Sequence, residues 1–186
     1  MKKALIVILA LSVCFVFAAC DDNSADSSES TSNDTITQEQ TDGTESSTDT
    51  GIVYGTGDTW EVDGLFSITI NSATPTDERN EFYDGEEPAE VVLIDYTYKN
   101  IGWESDIMDF YVSLDSTAKL MDSEGNMLQT YPVGSLTKYS QETPVGGICN
   151  SEEAVGLKVA GGPLKIIFEL YNDEGDPYKG TFIIEY

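Results

Sequence analysis

Val91-Val92-Leu93-Ile94-Asp95-Tyr96-Thr97-Tyr98-Lys99-Asn100 reads as one long β-strand. Val92, Ile94, Tyr96 and Tyr98 fall on one side of the pleat and make an unbroken face of large side chains. The other side begins apolar at Val91 and Leu93 and turns polar at Asp95, Thr97 and Lys99. Alternation of period two, filled with β-branched and aromatic residues, is the signature of a strand with one face in a core.

The same pattern recurs on both sides of this segment. Phe66, Ile68 and Ile70 alternate with Ser67, Thr69 and Asn71, and Thr59 to Val62 is a shorter β-like run whose Trp60 reads as a packing residue. Phe110, Val112 and Leu114 alternate with Tyr111, Ser113 and Asp115, which predicts a further strand. Lys119 to Asp122 and Asn126 to Thr130 flank Ser123-Glu124-Gly125, a hairpin signal with Gly at the left-handed position. Val155, Leu157 and Val159, then Leu164 to Leu170, then Phe182, Ile184 and Tyr186 give three more strands, with a Gly-bearing turn at Asn172 to Asp176. Gly146-Gly147 and Gly161-Gly162 lie beside Pro and read as turns. No amphipathic helix is evident. Seven to nine short strands predict an all-β fold, an antiparallel β-sandwich.

The run from Val91 to Gly102 resembles the strand and turn that mark a group of immunoglobulin-like domains on Gram-positive lipoproteins. Their pattern is an alternating hydrophobic strand ending in Lys-Asn, then a Gly. Their downstream strand-turn-strand is matched by Phe110 to Leu114 and by Asp122 to Asn126, whereas Thr143 to Gly147 departs from the pattern. The resemblance covers residues 57 to 186 and implies an immunoglobulin-like sandwich. Many members are domains of unknown function, so it implies no activity.

The N-terminus has a different character. Lys2-Lys3, the uncharged run Ala4 to Phe17 and the small residues Ala18-Ala19 have the three-part layout of a secretory signal. The apolar run is short for a permanent span, which needs about 20 residues. Phe17-Ala18-Ala19-Cys20 resembles the lipobox of bacterial lipoproteins. In that family the Cys thiol receives a diacylglyceryl group and cleavage leaves the Cys as the mature N-terminus, so residues 1–19 are expected to be a signal and Cys20 the lipidation site. Palmitate-type acylation would hold the protein on the outer face of the cell membrane, stably if two or more chains are added. The plainer alternative is an ordinary signal peptide with a chance Cys.

Residues 21 to 50 hold nine acidic residues, no basic one, seven Ser and seven Thr. Such a segment lacks the apolar surface to offset ordering entropy and is expected to be a disordered linker. The expected organisation is therefore a signal at 1–19, Cys20 and an acidic Ser/Thr-rich tether at 20–55, and a β-sandwich domain at 56–186.

Charge and composition narrow the function. The chain carries 34 Asp plus Glu against 9 Lys plus Arg and no His, a net charge of −25. No nucleic-acid footprint is expected from such a surface. Without His there is no His-based triad, His-ligated zinc or type I copper site. Neither a Gly-x-Ser-x-Gly nucleophile motif nor a phosphate-cradling Gly loop occurs, and no enzyme activity or cofactor is expected. Once Cys14 leaves with the signal and Cys20 is lipidated, Cys149 stands alone, without a disulfide partner or an activating His, and reads as a buried or inert thiol.

Three constellations remain as candidates. Adjacent carboxylates such as Glu86-Glu87 and Glu152-Glu153 would point to opposite faces of a strand, which disfavours paired acid/base chemistry. Asp122 and Glu124, and Asp173 and Asp176, cluster oxygen ligands around a Gly and are weak calcium candidates, although neither run has EF-hand spacing. Trp103 in a turn, and Phe82 and Tyr83 in the long acidic loop from Pro75 to Glu90, are the candidates for contacting a protein or cell-wall ligand. The leading expectation is a membrane-anchored, surface-exposed binding domain. The alternatives are a calcium-responsive structural module and a protease inhibitor presenting Trp103 or Thr143 to Cys149.

Overall fold

A computed structural model describes residues 51–186; the expected signal, Cys20 and the tether up to residue 50 lie outside the described residues. The elements in chain order are β1 (Val53–Tyr54), β2 (Thr59–Val62), β3 (Phe66–Thr76), β4 (Glu90–Asn100), α1 (Leu114–Thr117), β5 (Ala118–Met121), β6 (Met127–Thr130), β7 (Ile148–Leu157), β8 (Leu164–Tyr171) and β9 (Pro177–Ile184). The fold is all-β, as the alternation predicts. β1 falls at residues 53–54, in the stretch read from sequence as the end of the tether.

The strands form one sheet in the order β1-β9-β8-β5-β6-β7-β4-β3-β2. β6 is where the sheet changes plane. Its first half pairs with β5 through Leu120 and Leu128, and its second half pairs with β7 through Gln129 and Gly156. The two ends of the sheet then face one another. Trp60 of β2 stacks against Phe168 of β8, and Phe66 of β3 meets Tyr178 of β9 edge-on. Gly180 of β9 is required here, because a Cβ at that position would lie 2.3 Å from the Trp60 ring.

β4 is an interior strand, paired antiparallel with β3 and β7. Val92, Ile94, Tyr96 and Tyr98 are fully buried, along with Phe66, Ile68 and Ile70 of β3. Leu164, Ile166, Phe168, Phe182 and Ile184 supply the opposing face of the same core.

Two expectations are corrected. The sheet is mixed rather than wholly antiparallel, since β1 runs parallel to β9. The incoming chain lies beside the last strand and covers part of its open edge, which shields unpaired backbone groups. The run from Phe110 to Leu114 is also no strand. Phe110, Val112 and Leu114 are buried as the alternation predicts, but only Phe110 forms a bridge, to Thr143. Ser113 caps the single helical turn α1, accepting from Asp115 N, while the Glu153 carboxylate accepts from Leu114 N at 2.9 Å. A capping hydroxyl and a carboxylate at the helix start favour the turn over extension.

The Lys-Asn-x-Gly end of β4 has a structural role. Asn100 is 1% exposed, and its amide donates to the carbonyls of Trp103 and Thr143 at 3.0 and 2.9 Å. Its side-chain oxygen accepts from Trp103 N at 2.8 Å. Gly102 passes so close to Gly64 that a Cβ would come within 2.5 Å of its carbonyl oxygen.

Candidate ligand-binding groove

The apolar start of β4's outer face, Val91 and Leu93, has its own cover. Val91, Tyr131 and Ala154 form a second small core, against which Tyr83, Leu93 and Val133 pack. The 77–89 loop therefore folds down onto the sheet, with the Tyr83 ring meeting Tyr131 edge-on at 4.8 Å. Polar contacts fix the loop. Asn80 N donates to the Tyr131 hydroxyl at 2.9 Å, and Asn80 Nδ2 to Pro132 O at 3.2 Å. The Arg79 guanidinium donates to Thr76 O and pairs with Glu87 at 3.2 Å. The Ser135 side chain and the Gly134 N–H, both bonded to the Glu78 carboxylate, hold that group below the usual range.

Between this loop and the point where β6 leaves β7 lies a groove of about 640 Å³, within the size range of small-ligand sites. Tyr83, Pro88, Met127, Leu128, Gly156 and Lys158 line it, and Glu86 and Glu87 stand on the loop side. Two glycines shape it. A Cβ on Gly85 would lie 2.6 Å from the Tyr83 ring, and a Cβ on Gly156 would lie 3.1 Å from Pro88. Glu86 and Lys158 enter neither a hydrogen bond nor an ion pair among the described residues, so both charged ends are available to a ligand.

The sequence-derived candidates are dispersed. Tyr83 forms part of the groove wall, while Phe82 beside it is 86% exposed. Trp103 is half-buried at the other end of β4, packed against Phe66 and Phe110 at 5.7 Å and Tyr178 at 5.8 Å. Of the segment Thr143 to Cys149, Thr143 and Cys149 are buried and Val145 and Ile148 exposed. Cys149 is a free thiol directed at Tyr139 O.

Asp122 is buried, and its carboxylate accepts from Glu124 N, Asn126 N, Asn126 Nδ2 and Val159 N. Burial pushes this carboxyl up, but those donors outweigh it and hold it below the usual range. The second turn repeats the device with Asn172, which accepts from Glu174 N and Asp176 N. Asp173 binds Ser105 Oγ at 2.7 Å and Asp106 N at 3.2 Å. The 122–126 turn lies at the Leu164 end of β8 and the 172–176 turn at its Tyr171 end, roughly 20 Å apart by strand rise. Among the described residues no three Asp, Glu or Cys side chains are grouped so as to hold a metal ion.

Tyr131, Gly156 and Lys158 are among the groove residues that sequence reasoning missed. The available signal was the apolar start of β4's outer face, because Val91 and Leu93 needed something to cover them.

No protein-family model and no curated protein matches the chain. Solved structures do share the fold. A candidate lipoprotein, ycdA, of Bacillus subtilis subsp. subtilis strain 168 superposes over 67% of this chain with a TM-score of 0.51 and 13% identity. This chain spans 38% of the length of ycdA. The yjhA protein of Bacillus subtilis matches 72% of this chain and 100% of its own, with a TM-score of 0.52 and 12% identity. A looser match is the secreted protein MPT63 of Mycobacterium tuberculosis, with a TM-score of 0.47, 9% identity, and 69% and 95% of the two chains covered. At these identities the likeness concerns the fold.

Proposed function

We propose that the chain is an extracytoplasmic lipoprotein, held on the membrane by diacylglyceryl on Cys20, whose all-β domain binds a protein or cell-wall component and performs no catalysis. The observation that carries the anchoring is Phe17-Ala18-Ala19-Cys20 after a basic start and an uncharged run, followed by an acidic Ser/Thr-rich segment. Among the described residues no helix is long and apolar enough to cross a membrane. The fold likeness to ycdA, itself described as a candidate lipoprotein, supports the same setting. A binding role is supported by the groove, by the exposed Phe82, and by the lack of any His.

Fractionation of cells expressing the wild-type chain and Cys20→Ser tests the anchor. The wild type should remain with membranes through salt and carbonate washing, and the variant should be released. A variant that stays with the washed membrane contradicts lipid anchoring at Cys20.

A further inference from the structure

We infer that the groove beside the 77–89 loop takes an extended polypeptide segment that alternates cationic and apolar side chains, an assignment that rests on the binding role proposed above. The floor and walls supply the apolar contacts: Leu128, Met127, Pro88 and the ring of Tyr83. Aromatic and aliphatic surfaces of this kind anchor peptide side chains in grooves.

The charge around it selects the partner. The 77–89 loop carries six acidic residues, Asp77, Glu78, Glu81, Asp84, Glu86 and Glu87, against Arg79 alone. Glu78 and Arg79 are spent on holding the loop, and Glu87 pairs with Arg79. Glu81, Asp84 and Glu86 have no ion-pair partner among the described residues. Residues 51–186 hold 25 acidic and 7 basic residues, a net of −18, so a second copy of this chain or a polyanion would be repelled. Lys158 is the exception on the groove lining. It opposes a cationic side chain and therefore limits affinity, which gives the assignment a sign that can be tested.

The test titrates the full chain, held in a nonionic detergent, with acetyl-Lys-Phe-Lys-Phe-Lys-amide and with its Glu-Phe counterpart. The Lys-Phe probe should bind saturably and the Glu-Phe probe should not. Glu86→Gln should weaken the Lys-Phe probe about two- to fivefold, and Lys158→Gln should tighten it by a similar factor, as expected for one exposed charge contact. Glu104→Gln is the control. It removes the same unit of charge beyond the far end of β4, roughly 30 Å away by strand rise. At physiological salt a charge is screened over about 8 Å, so this variant should leave the affinity unchanged. Equal binding of both probes, no saturable binding, or equal weakening by Glu104→Gln and Glu86→Gln would each overturn the assignment. None of those results alters the membrane fractionation of Cys20→Ser, so failure here is distinguishable from failure of the anchoring.

Discussion

Asn100 shows how a short sequence signature acts through one side chain. Its amide binds the carbonyl and N–H of Trp103 and the carbonyl of Thr143, groups of two different segments, and it does so at 1% exposure. Truncating it would remove the side-chain donor from the Trp103 and Thr143 carbonyls, while Trp103 N keeps its bond to Leu65 O, and each buried group left unsatisfied costs on the order of 1–3 kcal/mol. Asn100→Ala should therefore lower the unfolding free energy by roughly 2–4 kcal/mol in urea denaturation. A loss below about 0.5 kcal/mol would show that the turn holds without it. Asp122 plays the comparable part in the 122–126 turn, where its carboxylate is occupied by donors of its own turn and by Val159 N. The acidity read as a calcium signal at this position is spent on turn geometry.

At the level of elements, strands were legible wherever one face was apolar over several residues. β2, β3, β4, β8 and both Gly-bearing turns follow the alternation directly. Phe110 to Leu114 misled because burial there comes in alternation without strand pairing. The deciding groups, Ser113 and the distant Glu153, act through caps that periodicity does not register. The groove was half legible. Tyr83 stood out in the acidic loop, whereas Tyr131, Gly156 and Lys158 meet it only through the pairing of β6 with β7 and of β7 with β4.

β4 also reaches the irregular 138–141 segment through two phenols. Tyr96 Oη meets Ser140 Oγ at 2.7 Å, and Tyr98 Oη donates to Gln141 O and accepts from Gln141 N. Burial, with the Glu153 carboxylate beside it, pushes the Tyr96 phenol upward. Burial and the neighbouring Cys149 push Tyr98 up to about 12. Both folded values lie above the unfolded value of about 10. The stability these protons contribute is complete below pH about 10 and is lost as pH rises, through about 12 for Tyr98. The urea midpoint should fall steadily as pH is raised from about 10 to about 11.5, alongside phenolate absorbance. A midpoint that does not move across that window contradicts the account of these two residues.

For the whole molecule, the net charge of −25 combines +2 from Lys2 and Lys3 with two negative parts that have different consequences. Nine negative charges fall in residues 21–50, and a net of −18 falls on residues 51–186, where it attracts cations, repels anions and opposes self-association. The all-β domain has its core within residues 51–186 and is shared in fold with ycdA and yjhA. What gives that domain its proposed place is a single thiol, Cys20, that precedes it in the sequence. The most direct test is the intact mass of the protein extracted from membranes of cells that express the full chain. The account predicts a chain that begins at Cys20, lacks residues 1–19 and carries diacylglyceryl on the Cys20 sulfur. A mass matching the full-length chain, or a processed chain with a free Cys20 thiol, would contradict it.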